Sequence, residues 1–241
     1  MLRTAMRHFF FAAQFAVLLA CASTPTTASD ASSMPKPAEA IAGDSTRWEA
    51  DIAAFEQADS VVRRRPGGVV FVGSSSIRLW DSLAGDFPGV AILNRGFGGS
   101  RVRDSTFHAQ RIITPYQPRA VVLYAGDNDL AEGRTPQQVR DDFVAFVAKV
   151  RQSLPQARIA YIAIKPSPSR QSLLPQARTA NQLIRDYATQ ASGIDYLDVF
   201  TPMLDAHGAP RADLFLADRL HMNANGYALW AQVVGPWLDG L

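Results

Sequence analysis

The sequence predicts an α/β protein built on a parallel, doubly wound sheet in three layers. Two observations carry that expectation. Residues 69–72, 90–93, 120–124, 159–164 and 194–199 read as short apolar runs rich in valine and isoleucine, as strands covered on both faces do. Longer amphipathic stretches separate these five runs, and strand–helix alternation of this kind makes a parallel sheet. The 241 residues, 47% hydrophobic and 19% charged, suffice for one such domain around a single core. The chain contains no internal repeat.

In chain order, the fold is expected to start near Trp48, because Trp48, Ile52, Phe55 and Val62 recur at helical spacing. The basic run Arg63-Arg64-Arg65 falls where that helix should end, and cations there favour the helix dipole. It reads as a solvated helix end. The first strand leads into Gly73-Ser74-Ser75-Ser76, the second into Asn94-Arg95-Gly96-Phe97-Gly98-Gly99, and the third into Gly126-Asp127-Asn128-Asp129. Thr135-Pro136 combines a helix cap with proline at the first helical position. Behind it, Val139, Phe143, Phe146, Val147, Val150 and Leu154 form one apolar stripe. After the fifth strand, Asp218-Arg219-Leu220-His221 precedes a last helix that begins near Asn223 and reaches Trp237.

The N-terminal segment has a different character. Arg3 and Arg7 precede an apolar run at 9–20, too short to span a bilayer but right for a signal-peptide core. Cys21, the one cysteine, follows in L-L-A-C, which resembles a bacterial lipobox whose cysteine is lipidated. Ordinary cleavage after Ala20-Cys21-Ala22 is the competing reading. Either way export is expected, to the periplasm, to a lipid-anchored place in a bacterial envelope, or out of the cell. A lone cysteine forms no internal disulfide. Residues 22–46 are mostly Ala, Ser, Thr and Pro and are expected to be a disordered tether, leaving 47–241 as the folded domain. Taking Arg3 and Arg7 from the 24 basic residues leaves 22, against 22 acidic ones. That balance points to no nucleic-acid partner, and to membrane contact only through a lipid on Cys21.

In open parallel sheets the ligand lies beyond the carboxyl ends of the strands, near the point where strand order reverses. The segments after each strand therefore matter most. The stretch from Gly96 to Arg101 is not the dinucleotide fingerprint, because Arg101 stands in place of the third glycine and the segment follows the second strand. Its glycines still let backbone N–H groups approach an anion or an oxyanion. The serine triplet is not the G-x-S-x-G elbow, because Ile77 replaces the second glycine. Alone, the serines suit either a helix cap or a nucleophile. Asp218-x-x-His221 shifts that balance, since a histidine three residues after a carboxylate can donate its Nδ1–H back to it. Asn128 follows a fully apolar strand and can donate to a developing oxyanion, although Gly126-Asp127-Asn128-Asp129 also suits a turn. His207 lies in a turn-like segment and His108 in a helical one. With no His or Cys cluster at ligand spacing, no metal site is expected.

Together, these four blocks in this order resemble the SGNH hydrolases, also called GDSL-type esterases and lipases. F-V-G-S-S-S is similar to the first block, usually G-D-S. Asn94 to Ser100 matches the second, whose functional glycine falls on Gly99. Gly126-Asp127-Asn128-Asp129 matches the G-x-N-D third block and Asp218-Arg219-Leu220-His221 the D-x-x-H last one. The resemblance spans about residues 66–238. Residues 126–136 and Ile164-Lys165-Pro166-Ser167-Pro168 look like the branch near platelet-activating-factor acetylhydrolases. One departure is clear: Ser74 stands where the family has aspartate before its nucleophile. That aspartate is no triad member.

The resemblance implies a flavodoxin-like α/β/α sandwich with a five-stranded parallel sheet, and hydrolysis of an ester without metal or cofactor. It implies Ser75 as nucleophile, His221 as base and Asp218 as its orienting carboxylate. The oxyanion hole would be the N–H groups of Ser75 and Gly99 with the Asn128 amide. Ser76 is then best placed to cap the helix. The substrate would be a small-molecule, glycan or lipid ester with a small acyl group. Trp80, Phe97, Leu220 and Met222 lie near the motifs and suit either an acyl pocket or plain core packing. Two rivals remain: an esterase or transferase acting on O-acetyl groups of cell-wall or other polysaccharide, and a non-catalytic envelope lipoprotein that binds a ligand in the same cleft.

Overall fold

The computed structural model describes residues 45–241 except Arg63. The apolar run at 9–20, Cys21 and most of the expected tether lie outside the described residues. Five parallel strands, β1 (Val69–Gly73), β2 (Ile92–Gly96), β3 (Ala120–Tyr124), β4 (Arg158–Ile162) and β5 (Ile194–Leu197), form one sheet in the order β2-β1-β3-β4-β5. The principal helices are α1 (Glu49–Val61), the short α2 (Ser75–Arg78) and α3 (Leu83–Asp86), α4 (Val102–Ile112), α5 (Asp127–Ala131), α6 (Pro136–Ser153), α7 (Leu174–Gln190) and α8 (Ala224–Asp239). This is the three-layer α/β sandwich expected.

Register explains the layers. Phe71 pairs with Val122, so Phe71 and Tyr124 point to one face of the sheet, and Val72, Leu123 and Tyr161 to the other. On the first face Trp80 meets Phe71, and Trp230 of α8 meets both Trp80 and Tyr124. On the second, Phe143 of α6 packs on Tyr161, and α4, α6 and α7 lie side by side. Both faces are covered, so β1, β3 and nearly all of β4 are buried throughout. Strand order reverses between β1 and β3, which places a crevice at the carboxyl ends of those two strands.

Helix α6 starts as its sequence directs. The Thr135 hydroxyl accepts from Gln138 N–H, while the Gln138 side chain accepts from Thr135 N–H, a reciprocal cap. The second strand differs from expectation, running over Ile92–Gly96 rather than 90–93. An apolar-run criterion stops at Asn94, but β2 is an edge strand whose polar side chains find partners. Asn94 donates to Ile77 O, and buried Arg95 pairs with Asp59 and Tyr116. Ordered contacts also begin earlier than composition suggests: Ser45 donates to Asp104 and accepts from His108, within the span expected as tether.

Candidate active site

The crevice is built from the ends of β1 and β3. At Gly73 the two strands come so close that an added Cβ would meet Tyr124 O at 1.8 Å, and φ is +130°. Only glycine fits there. Ser74 N–H then donates to Tyr124 O (2.9 Å), which turns the chain into α2. The cap position falls on Ser74, not on Ser76 as the sequence suggested, and the Ser74 hydroxyl makes no capping bond. Ser76 lies inside the first turn because α2 starts at Ser75, two residues earlier than a cap at Ser76 implies. Ser74 and Ser76 are both buried, with hydroxyls that find no partner among the described residues. Of the three serines, Ser75 opens into the cleft, which holds about 480 Å³.

His221 Nε2 lies 3.1 Å from Ser75 Oγ, and His221 Nδ1 lies 2.6 Å from Asp218 Oδ2. The other carboxylate oxygen of Asp218 accepts from the N–H groups of Leu220 and His221, each at 2.9 Å. The Leu220 N–H bond, then the His221 side chain and N–H, hold the Asp218 carboxyl down at about 2. It is therefore an acceptor only, which assigns the Nδ1 proton to His221 and leaves Nε2 free to accept from the Ser75 hydroxyl. The turn needs Arg219 at φ +58°, a left-handed conformation held in place by Ser169 N–H donating to Arg219 O.

Across the cleft, Gly98 and Gly99 form a tight turn with Gly99 at φ +74°. Phe97 N–H donates to Gly73 O, and the indole N–H of Trp48 donates to Gly98 O (2.8 Å). The turn is thus braced from the strand below and from the first element of the fold. Asn128 sits at the start of α5, which leaves β3 through Gly126. Its amide donates one N–H to Ser100 O (3.0 Å), tying it to the glycine turn and leaving its second N–H for the cleft. Ser75, Gly99, Asn128 and His221 all line this cleft, with Asp51, Arg78, Gly98 and Leu220. Asp218 stands behind His221. Trp80, Phe97 and Met222 do not line the cleft; they are core residues, and of the four apolar candidates Leu220 alone does.

The other histidines stay apart. His108 is buried against Ser45 O and Phe97, and His207 lies in a turn closed by Asp205. Arg101, the residue that broke the fingerprint, is buried on Asp104 and Glu132 at the start of α4. No group of three or more His, Cys, Asp or Glu among the described residues is disposed to hold a metal. One cluster escaped sequence reasoning. Lys165 and Arg170, from the segment after β4, converge on Asp127, one residue before Asn128. The available signal was a lysine directly after the apolar run 159–164, much as Asn128 follows the run 120–124.

The GDSL-like Lipase/Acylhydrolase family profile matches residues 59–229. The bovine (Bos taurus) platelet-activating factor acetylhydrolase IB subunit alpha1 is 29% identical over 208 residues, covering 81% of this chain and 83% of the relative. Among solved structures, a GDSL-like lipase from Bacteroides thetaiotaomicron superposes with a TM-score of 0.65 at 17% identity, covering 82% of this chain and 98% of that one. A member of the lipolytic G-D-S-L family from Veillonella parvula gives a TM-score of 0.62 at 19% identity, covering 72% and 99%. With its profile matched across both edges of the cleft, and the fold shared with these structures, the chain belongs to the GDSL-like lipase/acylhydrolase family and is a hydrolase of ester bonds.

Proposed function

We propose that the protein cleaves short-acyl esters through a Ser75–His221–Asp218 triad. The observation that carries this reading is the hydrogen-bonded chain from Ser75 Oγ through His221 to Asp218, set at the switch point of the sheet. Ser75 Oγ attacks the carbonyl carbon as His221 Nε2 takes its proton, and Asp218 stabilises the imidazolium. The N–H groups of Ser75 and Gly99 and the Asn128 amide receive the oxyanion, each such donor worth roughly 10²–10³-fold in turnover. Collapse of the tetrahedral intermediate breaks the bond to the alcohol oxygen, which leaves with the proton from His221. Water activated by the same imidazole then releases the acid.

A short acyl group is favoured because Leu220 is the one large apolar side chain on the cleft wall. Burial of a long chain needs about 25 cal/mol for each Å² removed from water, and little apolar surface is there to supply it. The name of the bovine relative, an acetylhydrolase, supports the same choice. The polar wall of Asp51, Arg78 and Asn128 favours a second reading for the alcohol side, an O-acetylated glycan. Hydrolysis of p-nitrophenyl esters of two to twelve carbons, beside acetylated sugars, tests both. Activity should peak at acetate or propionate and vanish in Ser75→Ala, while Ser74→Ala and Ser76→Ala keep most of it. A wild-type protein that neither hydrolyses these esters nor reacts with a serine-directed phosphonate would instead be a ligand-binding module. The reading also places the enzyme outside the cytoplasm, on the strength of residues 3–21. Loss of labelled-palmitate incorporation in Cys21→Ser tests the lipid anchor.

A further inference from the structure

The segment after β4 has no part in the chemistry proposed above, yet it touches both halves of the site. Arg170 Nη2 donates to Asn128 Oδ1 at 2.8 Å, and its Nη1 lies 3.0 Å from Asp127 Oδ2. Lys165 Nζ, fully buried, bonds the same Asp127 oxygen at 3.0 Å and the Tyr124 hydroxyl at 3.1 Å. Burial raises the Asp127 carboxyl, but the charges of Lys165 and Arg170 outweigh it and keep it ionised. One residue before Arg170, Ser169 N–H donates to Arg219 O, between Asp218 and His221. A charged cluster at the end of β4 therefore holds a guanidinium against the back of the Asn128 amide.

We infer that Arg170 is a positioning residue for the oxyanion donor: it fixes which end of the Asn128 amide faces the reacting carbonyl. An asparagine amide has a donor end and an acceptor end of nearly equal size. With the acceptor end turned into the cleft, it would repel an oxyanion rather than hold it. Arg170 can only donate, so it binds Oδ1 and would clash with an NH2 group in its place. Ser100 O can only accept, so it binds Nδ2. The two contacts define one orientation from opposite sides, and the positive charge on Oδ1 further polarises the remaining N–H toward the cleft. Asp127 and Lys165 do not reach the cleft; Asp127 pairs with the guanidinium, and Lys165 anchors Asp127.

This inference rests on Asn128 acting as an oxyanion donor, and the test separates the two ideas. Four proteins are compared on p-nitrophenyl acetate: wild type, Arg170→Met, Asn128→Ala and the double variant, each with its thermal midpoint. Arg170→Met should lower kcat by roughly 10–100-fold, less than loss of the donor itself, with KM within about twofold. In the Asn128→Ala background the same change should alter kcat by less than about twofold, because no amide remains to orient. Equal losses in both backgrounds, or full activity in Arg170→Met, would overturn the role of Arg170. Full activity in Asn128→Ala would instead sink the donor assignment on which it stands. Should Arg170→Met fail to fold, Arg170→Lys keeps the charge beside Asp127 but lacks the fork that reaches both partners. It is expected to show the same kcat-only defect, and wild-type kcat in it would count against the proposal.

Discussion

Asp218 and His221, three residues apart, are joined by a 2.6 Å hydrogen bond from Nδ1–H, and the turn between them supplies two backbone N–H groups to the same carboxylate. The Asp–His pair is thus assembled locally, while Ser75, its hydrogen-bond partner, comes from 146 residues away.

Asp218→Asn should leave the turn in place but remove the charge that stabilises the imidazolium, so kcat is expected to fall by roughly 10³–10⁴-fold. Stopped-time assays on p-nitrophenyl acetate at pH 8 measure this. Because the folded carboxyl titrates at about 2, below its ordinary value, it contributes to stability above pH 4, and that contribution is lost as pH falls through 2. No inflection in kcat/KM above pH 4 should therefore vanish in Asp218→Asn.

Asn128→Asp replaces the donor amide with a carboxylate of the same shape. Arg170 can pair with one oxygen, but the other is left facing Ser100 O, acceptor against acceptor, so the thermal midpoint should fall. Turnover should fall by at least about 10²-fold, since the cleft loses a donor and gains a charge that repels the oxyanion. A variant that keeps wild-type kcat would count against the oxyanion assignment.

Asp129 lies fully buried one residue further on, accepting from Val102 N–H with one oxygen and nothing with the other. Burial first, then the charge of Asp142, pushes its carboxyl up to about 7. The folded state holds this proton more tightly than the unfolded chain, so stability should fall as pH rises from 4 to 7. Asp129→Asn removes that dependence. Urea unfolding should show the variant gaining on wild type between pH 5 and pH 7, by up to about 2.5 kcal/mol, and no further above pH 7. A gap that does not change with pH would refute this.

Gly73→Ala should prevent folding or cost more than about 3 kcal/mol. The new methyl group would fall within bonding distance of Tyr124 O, where neither strand can move without breaking the sheet. Circular dichroism melts of the purified variant measure this. The same change at Gly99, where no atom lies within 4 Å, should cost only about 1 kcal/mol, from its φ of +74°.

Much of this protein is legible in its sequence. The class of fold follows from apolar runs alternating with amphipathic stretches, because a strand covered on both faces has no polar side to show. Helix α6 declares both its cap and its stripe. Asp218 and His221 are legible for a similar reason: their partnership is local, so spacing alone describes it. Ser75, Gly99 and Asn128, named from the segments after the first three apolar runs, all line the one cleft, because those segments lie at the carboxyl ends of neighbouring strands.

The tertiary structure decided what depends on contacts distant in sequence. The edge strand β2 runs through Asn94 and Arg95 because Ile77, Asp59 and Tyr116 satisfy them, and those partners lie 17 to 36 residues away. Ser74, not Ser76, takes the cap position because Tyr124 O captures its N–H. Trp80, Phe97 and Met222 fall in the core rather than the cleft because α8 and the glycine turn close over them. Arg170 meets Asn128 across 42 residues. A hydrogen bond has the same strength at any sequence separation, but only local ones leave a spacing to read. The sequence by itself therefore determined the class of sheet and the Asp–His turn, while β2, β4 and β5 end elsewhere than their apolar runs. Which side chains meet at those ends was settled by packing.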